Sequence, residues 1–516
     1  MNSCFQNPVL PGFYPDPSIC RVGDDYYLVT STFSYFPGVP IFQSQDLVHW
    51  EQIGHVLDRP EQLDLVGVGH SQGIFAPTIR YHEGVFYLIT TNVGGGGNFF
   101  VTAEDPTGPW SDPIWLDAPG IDPSLFFDDD GSVHYCGTRS APEGERYDGN
   151  GEIFLQRLNL ERGALEGPTY PLWRGALLDA IWPEAPHIYK KDGYYYLLIA
   201  EGGTGHHHAV TIARSENITG PYVGNPGNPI LTHRHLGQSF PIVNTGHADL
   251  VETQAGEWWM VLLASRPLGG YYRNLGRETF LVPVAWEDGW PVVSPGTGKV
   301  EWHYPLPELP RQAVRPKPSL DDFDLPKLDL IWNSLRTPLE RFYSLTERPG
   351  YLRLYLRKET LGELVTPSFL GRRQQDQSYR VTAALEFSPN QEWEEAGLVA
   401  IQSDAFHYRL VICARDGVPA VKLVKRFGGA ESTLACRAVP AGRVYLQILA
   451  VGQSLDFYFG SNLGDLRPLH LDADGRMLST DCAGGFVGTY LGVYASSKGE
   501  PSSNVADFDW FSYEGL

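Results

Sequence analysis

Short runs of alternating apolar and polar residues, separated by turns, recur five times in the first 300 residues. Each copy has a short alternating run, a turn that contains glycine, and a second run rich in aromatic and aliphatic residues. Two such runs joined by a tight turn predict a β-hairpin. The five hairpins start at Asp16, Ala76, Asp122, Ala185 and His247.

The spacing of these hairpins predicts a β-propeller. Repeats of roughly 45 to 63 residues, each with about four short strands, are typical of propeller blades. Residues 1–300 are therefore predicted to form a five-bladed β-propeller. Because the first strand of each blade lines the central channel, the five starting residues are expected to converge there, together with Glu184, which directly precedes Ala185.

The repeat ends in a proline-rich stretch, and a different pattern follows it. Prolines at 305, 307, 310, 316 and 318 predict a semi-rigid linker over 301–320. Beyond it, short alternating strands predict a second all-β domain, a β-sandwich over 321–516. Its clearest predicted strands are 352–356, 397–402, 407–413, 420–424, 444–450 and 455–459, with a final strand near 504–511.

Composition narrows the partners and the location. The chain has 516 residues, 42% of them hydrophobic, and a net charge of −22 that includes no basic run. Nucleic acids and anionic membranes are therefore not expected partners, and a neutral substrate is favoured. Residues 1–6 lack a signal-peptide pattern, no apolar run is long enough to span a membrane, and six cysteines without paired spacing indicate reduced thiols. We expect a cytoplasmic protein.

Three carboxyl groups are the candidate catalytic residues. Asp16, Asp122 and Glu184 all lie beside prolines at the predicted channel. Glycosidic bond cleavage needs one protonated carboxylic acid and one ionised carboxylate. Trp182 gives Glu184 apolar surroundings that raise a carboxyl pKa, and an ionised Asp122 would raise it further, so Glu184 is the predicted acid and Asp16 the base.

Two further segments are predicted to reach the channel. Phe33 lies in an aromatic loop directly after an inner strand, where it can either stack on a sugar or only pack. His206, His207 and His208 are predicted to enter a strand, whose alternating faces would prevent all three from binding one metal ion. Carboxyl groups on different blades, about 6.5 to 9.5 Å apart, would admit a water molecule and give inversion of configuration.

Three segments resemble the signature motifs of glycoside hydrolase family 43: residues 14–18 around Asp16, 120–124 around Asp122, and 184–189 beginning at Glu184. The predicted propeller, linker and sandwich resemble, over nearly the whole chain, the two-domain β-xylosidases and α-L-arabinofuranosidases of that family. The resemblance implies a sandwich of the concanavalin A-like type. It also implies the same three roles, with Asp122 tuning the pKa and orientation of Glu184.

The resemblance assigns further residues to the site. Arg277 would hydrogen-bond the non-reducing sugar, and Phe486 of the sandwich would close the pocket and enforce exo action. His247 would lie near a water-ligated calcium ion or a structural water network, and a second calcium ion could involve Asp324 or Asp509. No cofactor is required for the chemistry, although Ca²⁺ is a possible ligand, and a homo-oligomer is expected.

Two positions depart from the family pattern and leave the sugar preference open. Phe75 replaces a tryptophan that lines the sugar pocket, and Ala185 replaces a common glycine. The leading hypothesis is an exo-acting, inverting hydrolase that releases xylose from the non-reducing end of β-1,4-xylo-oligosaccharides, with side activity on α-L-arabinofuranosides.

Three alternatives to this hypothesis differ in substrate or in class. One is an enzyme that acts mainly as an α-L-arabinofuranosidase on arabinoxylo-oligosaccharides, and a more remote one is a non-catalytic glycan-binding propeller. A β-fructosidase shares the predicted fold plan, but it would need an Asn-Asp-Pro-Asn motif that this sequence lacks.

Overall fold

The computed structural model describes residues 4–313 and 319–516, and nearly all of its regular structure is β. The strands before the proline-rich stretch are β1 (Cys4–Gln6), β2 (Ser18–Val22), β3 (Asp25–Val29), β4 (Tyr35–Phe36), β5 (Gly38–Ser44), β6 (Glu51–Leu57), β7 (Gly73–Ile74), β8 (Thr78–His82), β9 (Val85–Val93), β10 (Gly97–Ala103), β11 (Ile114–Trp115), β12 (Ser124–Phe127), β13 (Val133–Ser140), β14 (Gly151–Asn159), β15 (Ala164–Trp173), β16 (Glu184–Lys191), β17 (Tyr194–Glu201), β18 (Ala209–Ser215), β19 (Val223–Gly224), β20 (Leu231–Thr232), β21 (Val243–Glu252), β22 (Trp258–Ser265), β23 (Glu278–Glu287), β24 (Trp290–Val293) and β25 (His303–Pro305).

All of these strands except β1, β4 and β25 form five antiparallel sheets that follow one another along the chain. Sheet 1 is β2-β3-β5-β6, sheet 2 contains β7 to β11, sheet 3 is β12 to β15, sheet 4 contains β16 to β20, and sheet 5 is β21 to β24. The predicted hairpins are all present as the pairs β2–β3, β8–β9, β12–β13, β16–β17 and β21–β22.

The first long strands of the five sheets pack against one another in a ring. β2 contacts β8, β8 contacts β12, β12 contacts β16, β16 contacts β21, and β21 returns to β2. Apolar side chains fill the space between neighbouring sheets, for example Val29 and Ile41 of sheet 1 against Leu88 and Val101 of sheet 2. Buried residues of this kind are the reason that the inner strands read as nearly continuous apolar runs.

The remaining strands form two larger sheets. They are β26 (Leu320–Asp321), β27 (Ser334–Leu335), β28 (Tyr343–Ser344), β29 (Leu352–Tyr355), β30 (Ser368–Arg373), β31 (Tyr379–Glu386), β32 (Glu395–Ser403), β33 (Phe406–Arg415), β34 (Val418–Phe427), β35 (Ala430–Ala438), β36 (Arg443–Val451), β37 (Ser454–Gly460), β38 (Arg467–Asp474), β39 (Tyr490–Ser496) and β40 (Val505–Gly515). Two 3₁₀ turns, Leu463–Asp465 and Gly475–Leu478, and the one-turn helix α1 (Thr480–Ala483) lie among them.

The two larger sheets face each other across a shared apolar core and form a β-sandwich. Sheet 6 has the order β28-β29-β40-β31-β36-β37-β38, with β26 on β40, and sheet 7 has the order β30-β39-β32-β33-β34-β35. Leu398 and Leu410 of sheet 7 pack with Leu446 and Phe457 of sheet 6 in this core.

Sheet 7 is apolar on both faces because its second face packs on the amino-terminal part. Along β32, Leu398 points into the sandwich core, whereas Val399 and Ile401 pack with Phe13 and Phe33. This is the alternation expected for a strand that is buried on both sides. β27 also pairs with β4, so a short strand pair joins the two parts of the chain.

The structure corrects three local expectations. β25 pairs with β1, so the first residues of the predicted linker belong to a strand pair, and residues 314–318 of that linker lie outside the described residues, as do residues 1–3. His206 to His208 form a turn rather than the start of a strand, because β18 begins at Ala209. In the sandwich, the strands that were not predicted are β26, β27, β28, β30, β31, β35, β38 and β39.

Helices contribute little to the described part of the chain. Among residues 4–313 and 319–516, no helix has the length and apolar character needed to cross a membrane.

Candidate active site

A pocket of about 610 Å³ opens where the first strands of sheets 1 to 5 begin. Its polar floor contains Asp16, Asp122, Glu184, His247 and Arg277. Its walls contain Phe33, Phe75, Trp182 and Phe486. The pocket therefore brings together every catalytic and substrate-binding residue that the sequence predicted.

The backbone takes the same unusual conformation at four of the five equivalent repeat positions. The φ angles are 56° at Asp16, 53° at Asp122, 52° at Ala185 and 46° at His247. Among non-glycine residues, left-handed backbone is more common for Asp, Asn and His than for residues such as alanine. The four turns consequently approach the pocket with one shared geometry.

Asp16 is a buried carboxylate that accepts hydrogen bonds on both oxygens. Arg277 Nη1 donates to Oδ1 at 2.5 Å, and Ser31 Oγ donates to Oδ2 at 2.5 Å. His247 Nδ1 lies 3.6 Å from Oδ1. These contacts fix the orientation of the carboxylate toward the pocket.

Glu184 and Asp122 are the two carboxyl groups that hold protons most strongly in the pocket. Burial, followed by the negative charge of Asp16, raises the pKa of Glu184 to about 7, against the lowering effect of Arg277. Burial, followed by the charges of Glu184 and Asp16, raises the pKa of Asp122 well above its ordinary value. The expected influence of an ionised Asp122 on Glu184 is therefore replaced by burial and Asp16, because Asp122 itself favours the protonated form.

Arg277 offers unused donors to the pocket. Its side chain is 7% exposed, and Nη1 contacts Asp16 and lies 3.4 Å from Thr204 Oγ1. Within the described residues, Nε and Nη2 are buried and have no hydrogen-bond partner. Buried donors without partners are costly, so a ligand with adjacent hydroxyl groups would stabilise this guanidinium.

Three phenylalanines form one aromatic wall. The ring centroids are 5.1 Å apart for Phe33 and Phe75, 5.9 Å for Phe33 and Phe486, and 6.1 Å for Phe75 and Phe486. Phe33 is 2% exposed, whereas Phe486 is 38% exposed. Phe33 therefore forms the back of the wall, and Phe486, supplied by the sandwich, presents most of the accessible ring surface.

Trp182 is a further aromatic residue of the pocket lining. Its side chain is 46% exposed, and its amide donates to the Gly149 carbonyl at 2.7 Å. A Cβ atom at Gly203 would lie 2.4 Å from the indole Cε3, and one at Gly149 would lie 2.8 Å from the indole Nε1. The ring is thus held between two glycine backbones that leave room for it.

Several residues of the site were not predicted. Thr204 and Arg273 line the pocket, and Ser31 orients Asp16. The segment of three consecutive histidines was expected to reach the channel from a strand, but a turn places His206 and His207 in the pocket lining.

The predicted metal ligands are not gathered into a metal site. Within the described residues, no group of three or more His, Cys, Asp or Glu side chains could hold an ion. Asp509 pairs with Arg443 at 2.7 Å, and the amide of Asp324 donates to Asp322. Calcium takes six to eight oxygen ligands, and the carboxylate beside His247 is already shared with Arg277, so this donor set does not fit the ion.

Comparisons with known proteins agree with this arrangement. The model of glycosyl hydrolases family 43 matches residues 5–291, and that of the beta xylosidase C-terminal concanavalin A-like domain matches residues 320–514.

Relatives and solved structures match along nearly the full length of the chain. The chain is 49% identical over 513 residues to a xylosidase/arabinosidase of Butyrivibrio fibrisolvens, covering 98% of this chain and 99% of the relative. It is 43% identical to a non-reducing end alpha-L-arabinofuranosidase of Bacteroides ovatus, covering 99% and 95%. The crystal structure of a xylan beta-1,4-xylosidase from Bacillus halodurans superposes with a TM-score of 0.94 at 39% identity, covering 99% and 100%.

Proposed function

The chain belongs to glycosyl hydrolase family 43, and we propose that it is an exo-acting, inverting glycosidase. Its substrates are β-1,4-xylo-oligosaccharides, from which it releases xylose at the non-reducing end, with side activity on α-L-arabinofuranosides. The observation that carries this proposal is the placement of Glu184, whose pKa is raised to about 7, in one pocket with the arginine-held carboxylate of Asp16.

The proposed reaction is a single displacement. Glu184 donates its proton to the glycosidic oxygen as the bond from that oxygen to the anomeric carbon breaks. Asp16 takes a proton from a water molecule, whose oxygen bonds to the anomeric carbon on the opposite face. The products are a sugar of inverted configuration and a leaving group with a free hydroxyl, and the proton on Asp16 returns to Glu184 through solvent.

Asp122 and Arg277 support the two reacting carboxyl groups. A protonated Asp122 near Glu184 avoids a second negative charge beside the acid. Arg277 holds Asp16 with Nη1 and retains Nε and Nη2 for two sugar hydroxyls. No step in this mechanism passes through a calcium ion.

The aromatic wall accounts for the proposed exo action. Phe486 reaches the pocket from the sandwich, and its amide donates to Ser71 Oγ at 2.8 Å. A wall at this position limits the pocket to the end of a chain. Phe33, Phe75 and Trp182 provide apolar surface for the sugar rings.

We also propose the finer architecture expected from the sequence. The five sheets would be the blades of a five-bladed propeller over residues 1–300, a proposal supported by the closed ring of strand contacts. The concanavalin A-like sandwich would span residues 321–516. A linker after Pro305 would replace the expected boundary at residue 301, because β25 belongs to a strand pair.

A cytoplasmic location and a homo-oligomer are further proposals. Cys20, Cys136 and Cys413 are buried thiols that form no disulfide, as expected for a reducing compartment. Cell fractionation tests the location, and light scattering tests the subunit number.

Sugar preference is tested by comparing two substrates. We expect kcat/KM for xylobiose to exceed that for an arabinofuranosyl-substituted xylo-oligosaccharide by at least about tenfold, or about 1.4 kcal/mol of transition-state free energy. NMR of the first product formed should show inverted anomeric configuration.

Dominant arabinose release would instead support the alternative, an α-L-arabinofuranosidase. Two observations favour considering it: the name of the Bacteroides ovatus relative, and the ring at Phe75, which is smaller than tryptophan. Phe75→Trp would then be expected to move the preference toward xylose.

A further inference from the structure

The longest irregular segment beside the pocket is held in place by the sandwich. This segment, here the 58–72 loop, connects β6, which ends at Leu57, to β7, which begins at Gly73. A loop of this length needs partners for its backbone groups. Several of those partners come from residues more than 250 positions later in the chain.

Four backbone groups of the 58–72 loop bond to the sandwich. Arg336 Nε donates to the Val68 carbonyl at 2.7 Å, and the Gly67 amide donates to the Leu364 carbonyl at 2.9 Å. Thr337 Oγ1 donates to the Leu63 carbonyl and accepts from the Leu65 amide at 3.2 Å. The conformation of the loop backbone therefore depends on hydrogen bonds from the sandwich.

Arg336 also reaches the residue next to Phe33. Its side chain is fully buried, and its amide donates to the Ser34 carbonyl at 2.7 Å. Ser34 Oγ in turn donates to the His70 carbonyl at 2.9 Å. One arginine thus ties both the loop and the segment that carries Phe33.

The loop and the short strand that follows it are connected to all three members of the aromatic wall. Ser71 accepts the Phe486 amide, and Ile74, just beyond the loop, exchanges two backbone hydrogen bonds with Phe33. Phe75 follows directly in the chain. A shift of this segment would move the three rings together.

We propose that Arg336, with Thr337 beside it, is the positioning residue for the sugar-binding wall formed by Phe33, Phe75 and Phe486. The sandwich would therefore set the shape of the sugar pocket through the 58–72 loop, in addition to supplying Phe486. This inference rests on the proposed glycosidase function for its kinetic assay.

The test compares Arg336→Lys and Thr337→Val with matched variants of the sandwich. Arg336 Nε bonds to Val68, and Nη1 donates to the carbonyls of Glu363 and Val365 at 3.3 and 3.2 Å. Lysine keeps the charge but cannot make these separate bonds, and valine keeps the shape of threonine without its hydroxyl.

Arg409→Lys and Thr382→Val are the controls, because both residues are buried and their side chains bond to sandwich residues: Arg409 to Glu395 and Glu431, and Thr382 to Gln447.

We expect KM for xylobiose to rise about tenfold in both test variants while kcat stays within about threefold, because an aromatic wall binds ground state and transition state alike. Both controls should keep the KM of the unchanged protein. Hydrogen exchange should become faster at residues 63–72 and at Phe486 in the test variants alone.

Three results would overturn the inference. One is an unchanged KM in Thr337→Val, which also decides the matter if Arg336→Lys does not fold. Another is a fall in kcat at constant KM, since that would place the effect on the reacting groups. The third is an equal KM rise in the controls. If the unchanged protein hydrolyses neither xylobiose nor the arabinofuranosyl-substituted xylo-oligosaccharide, the proposed function is wrong. Hydrogen exchange alone then tests the positioning role of Arg336 and Thr337.

Discussion

Buried carboxyl groups lie at two places around the ring of inner strands, at Asp249 and in the pocket, and their charges are compensated to different extents. Asp249 is fully buried and pairs with Arg80 at 2.9 Å. It also accepts from Ser18 Oγ at 2.7 Å and from Tyr189 OH at 2.6 Å. Burial would raise its pKa, but Arg80 and then His187 outweigh burial and hold the pKa well below its ordinary value.

The pocket compensates its carboxyl groups less completely, because only Asp16 is paired with an arginine. Asp16, Asp122 and Glu184 share one guanidinium, and burial raises the pKa of the latter two. The Asp249 network is complete and joins residues of sheets 1, 2, 4 and 5, whereas the pocket retains unpartnered donors on Arg277. The paired charge of Asp249 stabilises the structure, whereas the incompletely paired groups of the pocket are available for chemistry.

Removing the proton donor should give the largest effect. We expect Glu184→Gln to lower kcat on xylobiose by about 10²- to 10⁴-fold, because glutamine cannot protonate the leaving oxygen. The loss should be smaller on a nitrophenyl glycoside, whose leaving group needs less protonation. Steady-state kinetics on both substrates is the measurement, and full activity of the variant on xylobiose would rule out the acid role of Glu184.

The same substitution should also increase the stability of the folded protein at a pH where Glu184 is ionised. A folded-state pKa raised to about 7 means that ionised Glu184 costs stability above the ordinary pKa of glutamate. Glu184→Gln should therefore raise the midpoint of thermal unfolding at pH 8.

Breaking the completed network should damage stability and spare catalysis. We expect Asp249→Asn to lower the free energy of unfolding by about 3–5 kcal/mol, because it leaves the Arg80 guanidinium buried without its counter-charge. kcat/KM of the folded protein should stay within about threefold, since Asp249 reaches the pocket only through other residues.

Asp509→Asn is the matched control for that variant. Asp509 pairs with Arg443 at 2.7 Å, but its side chain is 25% exposed. An accessible pair is worth about 0–1 kcal/mol. Chemical denaturation of both variants gives the two values, and equal losses would show that burial and completeness of the network do not distinguish them.

The two groups should respond to pH on opposite sides of neutrality. Glu184 keeps its proton until the pH passes about 7, so kcat/KM should fall about tenfold per pH unit well above that value. Asp249 has a lowered pKa, so its contribution to stability is present above the ordinary pKa of aspartate and is lost as the pH falls below it. A pH–rate profile beside a pH–stability profile tests both, and constant activity to pH 9 would contradict the first.

The hairpins and the three carboxyl groups could be predicted from the sequence. Each hairpin is specified by adjacent residues, since Asp16 to Ser31 already contains both runs and the turn. The same repetition identified Asp16, Asp122 and Glu184, because equivalent positions in repeats converge. The second sheet of the sandwich was harder, since β30 and β39 are buried on both faces and show little alternation.

The long-range part could not be predicted. Asp249 lies in the fifth repeat, but the residues around it in the sequence do not indicate that it pairs with Arg80, which is 169 positions earlier. Arg336 lies in no motif, and its partner Val68 is 268 positions away. Contacts of this kind follow from the packing of sheets and of domains, which the pattern of a single strand does not encode.

The smallest expected effect concerns the left-handed backbone at the start of four of the five repeats. Ala185 has a φ of 52°, whereas Ala76, at the equivalent position of the second repeat, does not have a positive φ. Left-handed backbone costs alanine about 1–2 kcal/mol, and the flexibility of glycine in the unfolded chain offsets about 0.4–1 kcal/mol of the relief. We therefore expect Ala185→Gly to raise the free energy of unfolding by about 0.5–1 kcal/mol, whereas Ala76→Gly should lower it by a similar amount.

Both alanines are buried, so loss of the methyl group is matched, and denaturant titration of the two variants isolates the backbone contribution. Changes of the same sign would mean that the left-handed turn beside Glu184 carries no strain, and the common geometry of the four turns would then need another cause.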